Sequence, residues 1–173
     1  MMRQTLRRAA LAIGLFGLAA CAGVPEPDPT IYLVRHAEKQ ADSPDPGLTP
    51  AGEARVLALA ERLSEAGLAA IYSSPYRRTR DTAAPVAART GLSVTEYDPR
   101  ALDVLAGRLR EEGLTALVVG HSNTTPELAA ALGAEPGAPI READEYDRLY
   151  VIRLRPDGGA DSRIERYGAA PLP

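Results

Sequence analysis

Two stretches of the chain read alike: TIYLVRH at 30–36 and TALVVGH at 115–121. Each opens on threonine, runs through aliphatic residues rich in β-branched side chains, and stops on a histidine. Short apolar runs of this kind, bounded by polar segments, read as buried strands. The chain has two histidines, and both fall at the carboxyl end of such a run. A histidine serving only a core would show no such preference.

Outward from these runs the same alternation continues. Strands are expected at 30–34, 69–72, 92–97, 115–119, 148–155 and 163–167, and helices at 50–66, 77–90, 99–112 and 126–132. Thr49-Pro50, Asp98-Pro99 and Thr125-Pro126 each pair a good helix cap with proline at the first helical position. Gly67, Gly91, Gly113 and Gly133 stand where helix C-termini should be. Pro85 falls inside the second helix and implies a kink or a late start. Strands alternating with helices imply βαβ units and a mostly parallel sheet covered on both faces. The last two strands have no helix between them, so they pair antiparallel at the sheet edge. The expected fold class is α/β, a three-layer α/β/α sandwich.

Composition sets limits on function. Of 173 residues, 45% are hydrophobic and 25% charged, which excludes wholesale disorder and suits one domain. With Arg3, Arg7 and Arg8 set aside, 17 cations face 23 anions, which argues against a nucleic-acid partner. One cysteine excludes an internal disulfide framework and a cysteine-rich zinc site.

Residues 1–20 read as a secretory signal: three arginines, an apolar run from Ala9 to Ala20, then small residues. That run is too short to span a bilayer as a helix. Leu18-Ala19-Ala20-Cys21 resembles the lipobox of bacterial lipoproteins. The resemblance implies cleavage before Cys21, a lipid on its thiol, a proline-rich tether over 21–29 and a globular domain over 30–173. It places that domain in the cell envelope on a lipid-anchored membrane surface, and on the outer membrane facing the periplasm in a Gram-negative source.

In open α/β sheets, ligands bind beyond the carboxyl ends of the strands. There the chain places Arg35-His36 after the first strand, Ser73 to Arg80 after the second, and His121-Ser122-Asn123 after the fourth. Two guanidinium forks can grip phosphate oxygens in a way lysine cannot. A neutral imidazole can attack phosphorus, and a second can donate to the same group. His36, His121, Arg35 and an arginine of the 73–80 segment therefore suit phosphoryl transfer without a metal or other cofactor. Asn123 could donate to phosphate or cap the following turn. His36, Glu38 and His121 could instead hold a metal, but that leaves two arginines facing a dication. Arg77 and Arg80 read as solvated helix charges, and Thr49 as a cap.

LVRHAEK at 33–39, GLTPAGEAR at 47–55, SSPYRRTRDTA at 73–83 and VVGHSNT at 118–124 together resemble the histidine phosphatase superfamily. The motifs occur in the family's order over nearly the whole domain. The resemblance implies a phosphoglycerate mutase-like fold and a hydrolase acting on phosphate monoesters or phosphohistidine. His36 resembles the nucleophile, His121 the second histidine, and Arg35 and Arg78 the phosphate ligands. Tyr76 stands where the family has leucine, and Thr79 where it usually has alanine. The expected partner is a phosphorylated small molecule or phosphoprotein. The general acid is open among Asp98, Asp103, Glu127 and Glu38. Asp98 and Glu127 also suit helix starts. A silent anion-binding protein is the rival reading, and a phosphomutase ranks behind it for want of a second anchoring subsite.

Overall fold

The computed structural model describes residues 28–41 and 43–170. The expected signal segment, Cys21 and all of the tether before Asp28 lie outside the described residues. Among the described residues, six strands and four helices follow in the order β1 (Thr30–Arg35), α1 (Pro50–Arg62), β2 (Ala70–Ser73), α2 (Arg77–Thr90), β3 (Val94–Glu96), α3 (Leu102–Glu112), β4 (Ala116–Gly120), α4 (Thr124–Ala131), β5 (Arg148–Leu154) and β6 (Ala160–Arg166). They form one sheet in the order β3-β2-β4-β1-β5-β6. β1, β2, β3 and β4 are mutually parallel, whereas β5 runs antiparallel to β1 and β6 antiparallel to β5.

Strand periodicity divides the core in two. Ile31 and Leu33 of β1 pack with Leu105, Leu109, Leu128 and Ile152. Val34, one step out of phase, packs on the other face with Leu59, Leu63, Val86 and Leu149. Helices α3 and α4 thus cover one face and α1 and α2 the other, making three layers. Burying each such aliphatic side chain contributes roughly 1.5–3 kcal/mol.

Local chemistry explains where the helices start. Thr49 Oγ1 accepts from the Gly52 amide at 3.2 Å, and Pro50 follows the cap. α2 ends at Gly91, which takes the left-handed conformation with φ of 74°. Pro85 lies within α2 and neither delays nor ends it. Having no N–H, it withdraws one bond from the Asp81 carbonyl.

Two expected starts are corrected. Asp98 accepts from the Arg100 amide at 2.9 Å and pairs with its guanidinium at 3.0 Å. That local turn, closed by Ala101 N donating to the Asp98 carbonyl, delays α3 until Leu102. α4 begins earlier than its Thr125-Pro126 signal, because the Thr125 amide already donates to the His121 carbonyl. Asn123 takes the capping position but makes no side-chain capping bond.

Candidate active site

β1 and β4 are neighbours, so their carboxyl ends bring the two histidines together. The His36 amide donates to the Gly120 carbonyl at 2.9 Å, and the imidazole rings sit edge to face with centroids 5.5 Å apart. Each ring has one assigned proton. His36 Nδ1 lies 2.8 Å from the Ala37 carbonyl. A carbonyl only accepts, so Nδ1 carries the hydrogen and Nε2 keeps its lone pair.

His121 is fixed by a chain of hydroxyls. The Thr79 hydroxyl donates onto the carbonyls of Ser74 and Tyr76, both at 2.8 Å. Ser74 Oγ donates to Thr79 Oγ1 at 3.0 Å and lies 2.8 Å from His121 Nε2. With its one proton directed at Thr79, Ser74 accepts from His121, which places the ring hydrogen on Nε2. Nδ1 then faces Arg78 Nη2 at 3.4 Å as an acceptor, the only role an arginine leaves it. Thr79, at a family alanine position, supplies the end of this chain.

Both rings are neutral near pH 7. Burial, with the nearby Arg35, His121 and Arg78 and against the Ala37 carbonyl, pushes His36 down to about 3. Burial followed by the Arg78 and Arg35 charges pushes His121 down to about 4.

The two arginines are held differently. Arg35 is fully buried, and its guanidinium donates to three carbonyls of one loop: Arg141 at 3.1 Å, Glu142 at 2.8 Å and Glu145 at 3.1 Å. Tyr146 stacks on it at 4.0 Å and reaches toward His36, with ring centroids 6.0 Å apart. Arg78 lies over the Tyr76 ring at 4.5 Å, and its Nη1 is 3.7 Å from Asp45. Tyr76 also packs edge-on against His121 at 5.1 Å. Among the described residues, three buried side-chain polar atoms lack a hydrogen-bond partner, and two are Nε of Arg35 and Nε of Arg78. An unmade bond at a buried charged group costs more than at a neutral one, so such atoms mark an anion site.

A cavity of about 400 Å³ opens here, lined by His36, His121, Arg78, Asn123 and Ser122 and by Lys39 and Arg100. Arg35, expected as a phosphate ligand, is not among the residues of this wall. Asn123 is on the wall, in place to donate. Neither Arg77 nor Arg80 lines it. Both are exposed and paired, with Asp81 and Glu96 respectively.

None of the four carboxylates expected as acid lines the cavity, which corrects the sequence expectation. Glu38 is turned away by a bidentate pair with Arg55, whose guanidinium also donates to the Tyr167 and Ala169 carbonyls. That pair also takes Glu38 out of any metal site with the histidines. Asp98 is exposed, and hydrogen bonds from Arg100 hold its carboxyl below the usual range. Asp103 borders a separate hollow beside α3 and α4, and Glu127 borders both that one and a hollow adjoining the cavity. The carboxylate on the wall is Glu142, from the loop before β5. No local signal in the sequence marks it. Its position follows from Arg35 and from Glu145, a buried carboxyl anchored by Arg148 at 2.6 Å and Arg166 at 2.8 Å.

The family model described as histidine phosphatase superfamily (branch 1) matches residues 31–112, which include Arg35, His36 and Arg78. The uncharacterized protein Rv0525 of Mycobacterium tuberculosis is 34% identical over 80 residues, 42% of this chain. The match spans only 39% of that relative's length. Among solved structures, the protein histidine phosphatase SixA complexed with tungstate superposes with a TM-score of 0.64 at 18% identity, covering 79% of this chain and 96% of SixA. The mycobacterial glucosyl-3-phosphoglycerate phosphatase Rv2419c gives 0.60 at 16% identity, covering 82% and 99% of the two chains. The fold is that of the phosphoglycerate mutase-like histidine phosphatases. Family model and fold together support the histidine phosphatase superfamily.

Proposed function

We propose that this chain is a phosphatase that hydrolyses phosphate monoesters by way of a phosphohistidine on His36. One observation carries the reading. Two neutral imidazoles stand together at the ends of β1 and β4, between two arginines whose Nε atoms are buried without partners. Neutrality leaves the Nε2 lone pair of His36 free at neutral pH, and the Ala37 carbonyl aligns the ring from the opposite nitrogen. Arg78, Lys39 and Arg100 on the wall spread the charge of the phosphoryl oxygens in a partly desolvated cavity. His121 can take a proton on Nδ1 once a dianion offsets the neighbouring cations, and then donates to the phosphoryl group. SixA, which shares the fold, was captured with tungstate, an oxyanion, and that supports a reading in which this chain binds an anion.

The test is acid-labile labelling of the full chain during turnover of p-nitrophenyl phosphate, in the presence of chelator. Labelling and turnover are expected in the unmodified chain and loss of both in His36→Ala. Removing a covalent nucleophile should lower the rate by at least about 1,000-fold. Label retained in the variant removes His36 from the role. Anion binding without turnover on a broad ester panel would make the chain a silent binder instead.

A further inference from the structure

Beside the cation-lined cavity lies a second hollow of about 460 Å³, lined by Pro126, Ala130, Pro136, Pro139 and Ile140. The two hollows share Ser122, Asn123 and Glu142. Their charge differs sharply. Lys39, Arg78 and Arg100 line the first, whereas the second has no cation on its wall and adds Glu127 to Glu142.

Building on the phosphatase reading, we propose that the second hollow holds the organic group of the substrate, the monoester of an uncharged apolar alcohol. Glu142, at the junction, protonates its bridging oxygen. The inference follows from connectivity. In a phosphate monoester the bridging oxygen is the one atom between phosphorus and carbon. With the phosphoryl group among the cations and the carbon chain among the prolines, that oxygen lies at the shared wall. Of the three shared residues, only Glu142 has a carboxyl group, the side chain able to hand a proton to a leaving oxygen. Its main chain is pinned, because its carbonyl accepts from the buried Arg35 at 2.8 Å.

The step balances. His36 Nε2 bonds to phosphorus as the P–O bond breaks, and the leaving oxygen takes the Glu142 proton to depart as the alcohol. Glu142, now a carboxylate, takes a proton from water as that water attacks phosphohistidine. Phosphate leaves and both side chains return to their starting states. Glu127 repels a second anionic group, so bisphosphates and phosphorylated carboxylic acids fit poorly.

The test uses the full chain with hexyl phosphate, p-nitrophenyl phosphate and the bisphosphate of hexanediol. Glu142→Gln should lower kcat/KM for hexyl phosphate by about 100-fold or more and for p-nitrophenyl phosphate by less than about 3-fold, since nitrophenolate departs without a proton. Ala130→Arg, an exposed position on α4, should raise KM for hexyl phosphate about tenfold, improve the bisphosphate and leave inhibition by inorganic phosphate unchanged. Equal losses on both esters in Glu142→Gln, or a preference of the unmodified chain for the bisphosphate, would overturn the assignment and leave the phosphatase standing. An unmodified chain that neither turns over nor labels on any ester overturns both.

Discussion

Arg35 does its work away from the cavity wall. Its fork reaches three carbonyls of the segment from Arg141 to Glu145, so the residue beside His36 also fixes the loop that carries Glu142 and Tyr146. Lysine would keep the charge but could not span those three acceptors from one ammonium. Arg35→Lys should therefore cost about 2–4 kcal/mol, read as a lower urea midpoint with little change in slope. A midpoint unchanged from the parent chain would mean that the loop holds itself. His36 and His121 were legible in the sequence because each follows a strand, where such sheets bind ligands, and Arg78 from the family motif it resembles. Glu142 was not legible. It follows no strand, and long-range bonds from Arg35, Arg148 and Arg166 settle its place. Thr79 stood out only as a departure from the family pattern, and its role in orienting His121 needed the contact with Ser74.

Element starts show the same division between local and distant causes. α1 was readable from Thr49-Pro50, whose cap forms as expected. α3 was misplaced because Asp98 spends its carboxylate on Arg100, a rival to helix capping two residues away. The packing of α1 on the loop after His36 is close. A Cβ on Gly52 would come within 2.4 Å of the Glu38 carbonyl oxygen. Backbone rather than a pliable side chain is in the way, so Gly52→Ala must push the helix from the loop. The expected cost is about 1–3 kcal/mol in urea unfolding. His36 lies two residues before Glu38, so kcat should fall as well. Full activity with parental stability would show that this contact relaxes freely.

Across the whole molecule, acid acts through groups whose pKa is held low in the folded state. His36 and His121 bind protons more readily unfolded, so stability is full above about 6.5 and falls as pH drops toward their native values of about 3 and 4. At pH 5 His36 alone withdraws roughly 2 kcal/mol. Glu145 adds a later loss below its ordinary value of 4.5. Burial raises its pKa, but the Arg141 amide, Arg148 and Arg166 hold it down, and that advantage goes as the carboxyl protonates. Thermal melts should show Tm declining from pH 6.5 downward, with His36→Asn flattening the upper part of the slope. A flat profile to pH 4.5 would contradict neutral buried histidines. The sheet order has a further consequence, for a chain still being made. β1 sits between β4 and β5, with Ile31 paired to Ala116 on one side and Ile152 on the other. A nascent chain therefore carries His36 on an unpaired strand while most of the protein is translated. Arg35 finds its acceptors later still, when the segment from Arg141 to Glu145 emerges. The proposed pocket is thus completed only after the segment from Arg141 to Glu145 and the strands beyond it have left the ribosome.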